Sequence, residues 1–69
     1  CLGAGPVTVI ITVDPAGNVI NAKVQEEVSS DDRCLRDFAI RAARLSKFSV
    51  SKNAPARQMG NIVYMFVAQ

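Results

Sequence analysis

The sequence contains no histidine, the side chain that most often acts as a general base or binds a metal ion. Two cysteines without histidine make a poor zinc site. The serine and threonine residues have no base partner, and no glycine-rich phosphate loop follows a strand. Each carboxylate has a structural role, as a turn former, a helix cap or a solvated surface charge. We therefore predict that the chain is not an enzyme and has neither a cofactor nor a metal site.

Concentrated charge and long hydrophobic runs are also absent. The net charge is only +2, whereas nucleic-acid binders usually carry a strongly basic surface. No run is long enough to span a bilayer, and no signal peptide is present. The apolar fraction of 49% is too high for a disordered chain. We expect one domain over residues 1–69, without a nucleic-acid partner, excised from a longer membrane-anchored protein because the sequence starts without Met.

The clearest pattern in the chain is a β-hairpin. In residues 7–13 and 19–25, apolar residues of one face alternate with residues of the opposite face, as they do in a strand. The Asp-Pro-Ala-Gly-Asn segment between them is typical of a turn. The predicted register pairs Val13 with Ile20, Ile11 with Ala22, and Val9 with Val24. Each pair then has its apolar side chains on one face, which a one-residue slip would destroy.

A helix is predicted over residues 31–47, with Ser29 or Ser30 as its N-cap. Its apolar side fits a helical period of roughly 100° per residue. The residues on that side are Leu35, Phe38, Ala39, Ala42 and Leu45. Ile40 falls in the middle of the charged face. It is a candidate interface residue, and the alternative is a lone exposed isoleucine without a role.

A third strand, predicted over residues 62–67, follows a loop predicted over residues 49–60, which is either functional or a mobile connection. The order β-β-α-β predicts an α+β fold. We expect a three-stranded antiparallel sheet of order 2-1-3, with one helix packed on one face by a right-handed crossover. The covered face would include Val7, Val9, Ile11, Val13, Ile20, Ala22, Val24, Ile62, Tyr64 and Phe66.

This architecture leaves two apolar surfaces without a partner. The uncovered face of the sheet would carry Ile10, Val63, Met65 and Val67, and we expect it to contact another chain, as in a homodimer, or a terminal segment. The third strand is an edge without charge or proline, and such an edge invites another strand. The predicted partner-binding residues are Ile62, Val63, Tyr64, Met65, Phe66 and Val67.

The topology brings the two cysteines, Cys1 and Cys34, to the same end of the sheet. Unpaired thiols are one interpretation, with Cys34 as a small buried apolar residue. We favour a disulfide, with the two Cα atoms within about 7 Å of each other. A disulfide would imply an oxidising compartment.

Three stretches follow a known pattern in order and spacing. They are Gly5-x-Val7-x-Val9-x-Ile11-x-Val13-Asp14-Pro15-x-Gly17-x-Val19, then Ser29-Ser30 with Leu35, Ala39, Ala42-Ala43 and Lys47-Phe48, and finally Gly60-x-Ile62-x-Tyr64-x-Phe66. Together they resemble the first hairpin, the helix and the last strand of the TonB C-terminal domain family. Ala54-Pro55 and Gln58-x-Gly60 look most like the Bacteroidetes version.

The resemblance implies the periplasmic C-terminal domain of an energy transducer. In that family an N-terminal helix in the inner membrane joins proton-driven motor proteins, and a flexible linker crosses the periplasm. The C-terminal domain binds a peptide segment of an outer-membrane TonB-dependent receptor by strand addition. The implied role is uptake of siderophores, vitamins or glycans, driven by the proton-motive force.

Two other functions remain open. A TonB-like domain can end a membrane-bound sensor or peptidase, where its role would be regulatory, and the upstream sequence would decide this. The third interpretation is a small secreted inhibitor that presents the loop of residues 49–60, which a screen against proteases would test.

Overall fold

The computed structural model of the protein describes residues 1–49, 53 and 55–68. It contains strands β1 (Gly5–Val13), β2 (Val19–Val24) and β3 (Gln58–Phe66), and helix α1 (Arg33–Leu45). One turn of 3-10 helix (Glu26–Val28) lies between β2 and α1. The sheet is antiparallel with the order β2-β1-β3, and α1 packs on one face of it. The predicted α+β architecture is confirmed.

The core lies between α1 and the central strand. Alternate residues of β1 point toward the helix and are buried, as the apolar period of the sequence predicts. The buried apolar residues are Val7, Val9, Ile11, Val13, Ala22, Leu35, Ala39 and Ala43. Each buried valine, leucine or isoleucine side chain stabilises the fold by roughly 1.5–3 kcal/mol. The core therefore fixes β1 firmly and leaves β2 and β3 as the edges.

The hairpin follows the predicted register except at its turn. Ile11 pairs with Ala22 and Val9 with Val24, but Val13 pairs with Val19 because a bulge leaves Ile20 unpaired. Ile20 is consequently 47% exposed, so its predicted place on the covered face is wrong. The turn causes the shift, since its backbone closes between residues 14 and 18 and shortens the loop.

Asp14 organises this turn with its side chain. Its carboxylate accepts hydrogen bonds from the backbone N–H groups of Ala16, at 3.0 Å, and Asn18, at 2.9 Å. The Asn18 side-chain amide donates to the other carboxylate oxygen. These donors, the Asn18 backbone N–H above all, lower the pKa of the Asp14 carboxyl below its usual value.

Helix α1 begins two residues later than predicted, and its cap is Asp32 rather than a serine. The Asp32 carboxylate accepts hydrogen bonds from the backbone N–H groups of Cys34 and Leu35. Ser29 is not free to cap the helix because its hydroxyl is bonded to the backbone of Thr8. The 3-10 turn that follows β2 spans Glu26–Val28 and ends before the residues that the sequence suggested for the helix start.

The face that α1 turns to the sheet also differs from the prediction. Leu35, Ala39 and Ala43 are buried, and Ile40 packs against the core. Phe38 and Leu45 are 57% and 79% exposed. Alanine at every fourth position allows the helix to approach the tightly filled β1 surface, which a phenylalanine would prevent. Ile40 is therefore a partly buried packing residue, and its assignment to the charged face, which made it an interface candidate, is wrong.

Strand β3 is longer at its start than predicted. It begins at Gln58 and ends at Phe66, instead of spanning residues 62–67. Gln58 pairs with Val13 and Gly60 with Ile11, so β3 follows β1 along its whole length. Backbone pairing with an available strand outweighs the polar side chains of this segment. Of the loop predicted over residues 49–60, residues 50–52 and 54 lie outside the described part of the chain.

Gly17 holds the segment that follows α1 in contact with the hairpin turn. The Phe48 backbone N–H donates to the Gly17 carbonyl at 2.9 Å, and Lys47 forms a bridge with Asn18. Gly17 has φ +88°, and a Cβ at this position would overlap the Phe48 carbonyl oxygen. Only glycine satisfies both conditions here.

We expect Gly17→Ala to lower the free energy of unfolding by about 1–3 kcal/mol, because the backbone conformation is strained for alanine and the Phe48 carbonyl must move. Gly60→Ala is the matched control. Among the described residues, the atom nearest to an added Cβ there is a side-chain carbon of Ile11 at 3.9 Å, so stability should change little. Urea unfolding of both variants measures the difference, and equal losses would contradict this role for Gly17.

Candidate functional site

The candidate site is the outer edge of β3. The direction of its backbone groups follows from Thr8 on β1, whose N–H donates to Ser29 Oγ at 2.9 Å and whose carbonyl accepts from the Gln25 N–H at 2.8 Å. Both bonds lie on the β2 side of β1, so the neighbouring residues of β1 direct their backbone groups toward β3. Their partners on β3, which include Ile62 and Tyr64, point inward.

The intervening residues of β3 therefore direct their N–H and C=O groups away from the sheet. These residues are Met59, Asn61, Val63 and Met65. No described residue forms a hydrogen bond with these groups. The strand contains neither proline nor a charged residue, which are the usual means of blocking an edge. Among the described residues, the edge therefore presents a strand-length row of donors and acceptors without a hydrogen-bond partner.

The same residues contribute side chains to the sheet face opposite α1. Val63 and Met65 are 63% and 68% exposed, and Met59 and Val67 are similarly exposed. Ile10 lies on this face too, half-buried and paired with Asn61. The predicted apolar character of this face is present, but no described segment covers it. A terminal segment among the described residues is therefore not its partner.

The other side of β3 attaches the strand to the core. Ile62, Tyr64 and Phe66 are half-buried and pack against the core residues. The rings of Tyr64 and Phe66 stack with centroids 6.3 Å apart, and Phe38 meets Phe66 edge-on at 5.8 Å. Of the six predicted binding residues, these three thus hold the strand in place. Val63 and Met65 carry outward backbone groups, and Val67 lies one residue beyond the strand.

The two cysteines join the opposite end of the sheet to α1. Cys1 and Cys34 form a disulfide with their Cα atoms 5.7 Å apart, which confirms the predicted pairing. Beside it, Arg36 donates to the Ser30 carbonyl and forms an ion pair with Glu26. Its guanidinium also lies 3.7 Å from Asp31. The connection between β2 and α1 is therefore fastened to the helix on one side and to β1 on the other.

Sequence reasoning missed a pocket of about 400 Å³ near the start of β3. It lies above Gly60, which has no side chain and pairs with Ile11 of β1. Its described lining consists of Ile11, Val13, Phe48, Ser49, Asn53, Pro55, Gln58, Met59, Gly60 and Asn61. A glycine inside a strand pattern is a signal of close approach by another group, and Gly60 was instead assigned to a loop.

Within the described residues, no cluster of three or more His, Cys, Asp or Glu side chains could hold a metal ion. None of the described helices combines the length and apolar character that a membrane crossing needs. Comparisons with protein-family models, curated proteins and solved structures find no match to this chain.

Proposed function

We propose that this protein binds an extended peptide segment of a partner by adding it to the outer edge of β3. The observation that carries the proposal is the row of outward backbone groups at Met59, Asn61, Val63 and Met65, on a strand without proline or charge. Such an edge pairs with an added strand through main-chain hydrogen bonds. The apolar side chains of the same residues would then lie beside those of the peptide.

We propose further that the peptide belongs to an outer-membrane TonB-dependent receptor and that the protein is the periplasmic domain of an energy transducer. The resemblance along the chain supports this assignment, as does the disulfide, because the bacterial periplasm allows disulfides to persist. The proposed activity is transmission of proton-motive-force energy, from motor proteins of the inner membrane, for uptake of siderophores, vitamins or glycans.

The arrangement of the strands supports a mechanical role. β1 is hydrogen-bonded to β2 on one side and to β3 along its full length on the other. The disulfide joins the start of the chain to α1. A force applied before Cys1 would therefore act on the helix and the central strand together, and β1 would transmit it to β3 and the bound peptide.

Titration of the isotope-labelled domain with synthetic peptides from the N-terminal segments of such receptors tests this function. We expect the largest chemical-shift changes along β3, because the peptide pairs with its outer edge. Peptides methylated at alternate backbone nitrogens are the control: one of the two alternating sets should abolish binding, since it removes the donors that face β3. Shifts confined to α1 and the hairpin turn, with β3 unchanged, would refute the proposal.

A further inference from the structure

We infer that the pocket above Gly60 receives one uncharged, apolar side chain of the peptide that adds to β3. This inference rests on the proposed strand addition and names the position at which the site selects among peptides. None of the described residues that line the pocket is charged, and they include Ile11 and Val13 of the core strand. Backbone pairing alone is indifferent to sequence, so a pocket at the strand edge is where specificity can arise.

The pocket opens at the free edge because residue 60 is glycine. Gly60 pairs with Ile11, and among the described residues an added Cβ would find nothing nearer than an Ile11 side-chain carbon at 3.9 Å. Every other helix-facing residue of β3 carries a side chain on this face. Phe48 also lines this space, and the neighbouring residues Gln58, Met59 and Asn61 border it along β3.

The register of an added strand places a side chain at this opening. The outward groups of Met59 and Asn61 would exchange hydrogen bonds with the peptide, so the peptide residue opposite Gly60 forms the intervening, non-hydrogen-bonded pair. In an antiparallel arrangement the Cα atoms of such a pair lie only about 4.5 Å apart. The side chain of that residue points to the α1 side of the sheet, over Gly60 and toward Ile11.

The chemistry of the pocket limits its occupant. A charged side chain would lose water without gaining a charged partner among the described lining residues, which is costly. The volume of about 400 Å³ is near the lower end of the range of roughly 300–1,000 Å³ that is usual for small-molecule pockets. A leucine, methionine or phenylalanine side chain suits such a space, with room left for its backbone at the opening.

Single blocked amino acids test the pocket apart from strand pairing. N-acetyl-leucinamide and N-acetyl-phenylalaninamide are added to the isotope-labelled domain, with N-acetyl-glycinamide as the probe that lacks a side chain. We expect shifts of the Gly60, Asn61 and Phe48 amide signals with the two apolar probes only. Gly60→Val should abolish them, because its side chain fills the opening, while Asn21→Val, on the opposite edge of the sheet, should leave them unchanged.

A receptor peptide that binds β3 supplies the second test. Replacing its residues one at a time by alanine should reveal one apolar position whose loss weakens binding about tenfold or more, as burial of a large apolar side chain predicts. The same alanine replacement should not weaken binding of the peptide to the Gly60→Val domain any further, since the pocket is already closed. Circular dichroism establishes that the variant remains folded.

The outcomes separate this inference from the proposed function. If the apolar probes shift no more signals than the glycine probe, or if Gly60→Val binds the peptide as well as the unmodified chain does, the pocket has no such role, even where β3 binds peptides. If the apolar probes bind and no receptor peptide affects β3, strand addition is wrong and the pocket does not serve it.

Discussion

Removal of the Cys1–Cys34 disulfide is expected to lower the free energy of unfolding by about 3–4 kcal/mol. The bond joins residues 33 positions apart, and closing a loop of that length in the unfolded chain accounts for roughly this amount. A domain of this size has only roughly 3–10 kcal/mol of total stability. The disulfide thus supplies a large share of it, as expected for a chain that buries few large side chains.

Urea unfolding followed by circular dichroism measures this effect in a Cys1→Ser, Cys34→Ser double variant. The control is the unmodified protein in a reducing agent, which retains both side chains and loses only the bond. Both samples should lose about the same stability. A double variant as stable as the oxidised protein would show that the disulfide is dispensable, and a loss in the variant alone would assign the effect to the serine side chains.

Val63→Pro is expected to weaken peptide binding roughly 5- to 150-fold. The Val63 N–H points outward, and proline removes it, so a carbonyl of the bound peptide loses its donor, at a cost of about 1–3 kcal/mol. The fold should survive, because proline is tolerated on an edge strand where the N–H faces outward. Titration with a receptor peptide measures the change.

Two further variants show whether the backbone or the side chain is responsible. Val63→Thr retains the N–H and changes only the side chain, so its affinity should fall less than about threefold if main-chain bonds dominate. Ile62→Pro removes an inward N–H that bonds to β1, and should therefore destabilise the domain itself. Equal losses of affinity in Val63→Thr and Val63→Pro would contradict binding through the backbone.

The strand pattern allowed the sheet to be predicted, because alternating burial on β1 leaves only one register for Val9 and Ile11. The position of Ile20 was not predictable, since it depends on how Asp14 closes the turn rather than on hydrophobicity. The prediction of the buried face of α1 was wrong for a similar reason. Its rotation is decided by close packing of Ala39 and Ala43 on β1, and an apolar period alone favours the larger Phe38.

The edge position of β3, where the candidate site lies, was predicted, and the geometry of that edge was not. An uncharged final strand indicates an open edge, and the pairing of β3 with β1 supports that prediction. Which N–H groups of β3 face outward depends on which residues of β1 direct their backbone groups toward β3. The hydrogen bonds of Thr8 show this, and they are known only from the folded structure. The pocket above Gly60 was missed because a polar, glycine-containing segment is typical of a loop, whereas here it extends β3.

Hydrogen exchange at single amides of β3, with and without a receptor peptide, tests strand addition most directly. The account predicts an alternating result. The Asn61, Val63 and Met65 amides should exchange fast in the free domain and slowly in the complex, whereas the Ile62 and Tyr64 amides, already bonded to β1, should be protected in both. Uniform protection along the strand, or peptide binding that leaves the Asn61, Val63 and Met65 amides in fast exchange, would contradict strand addition at this edge.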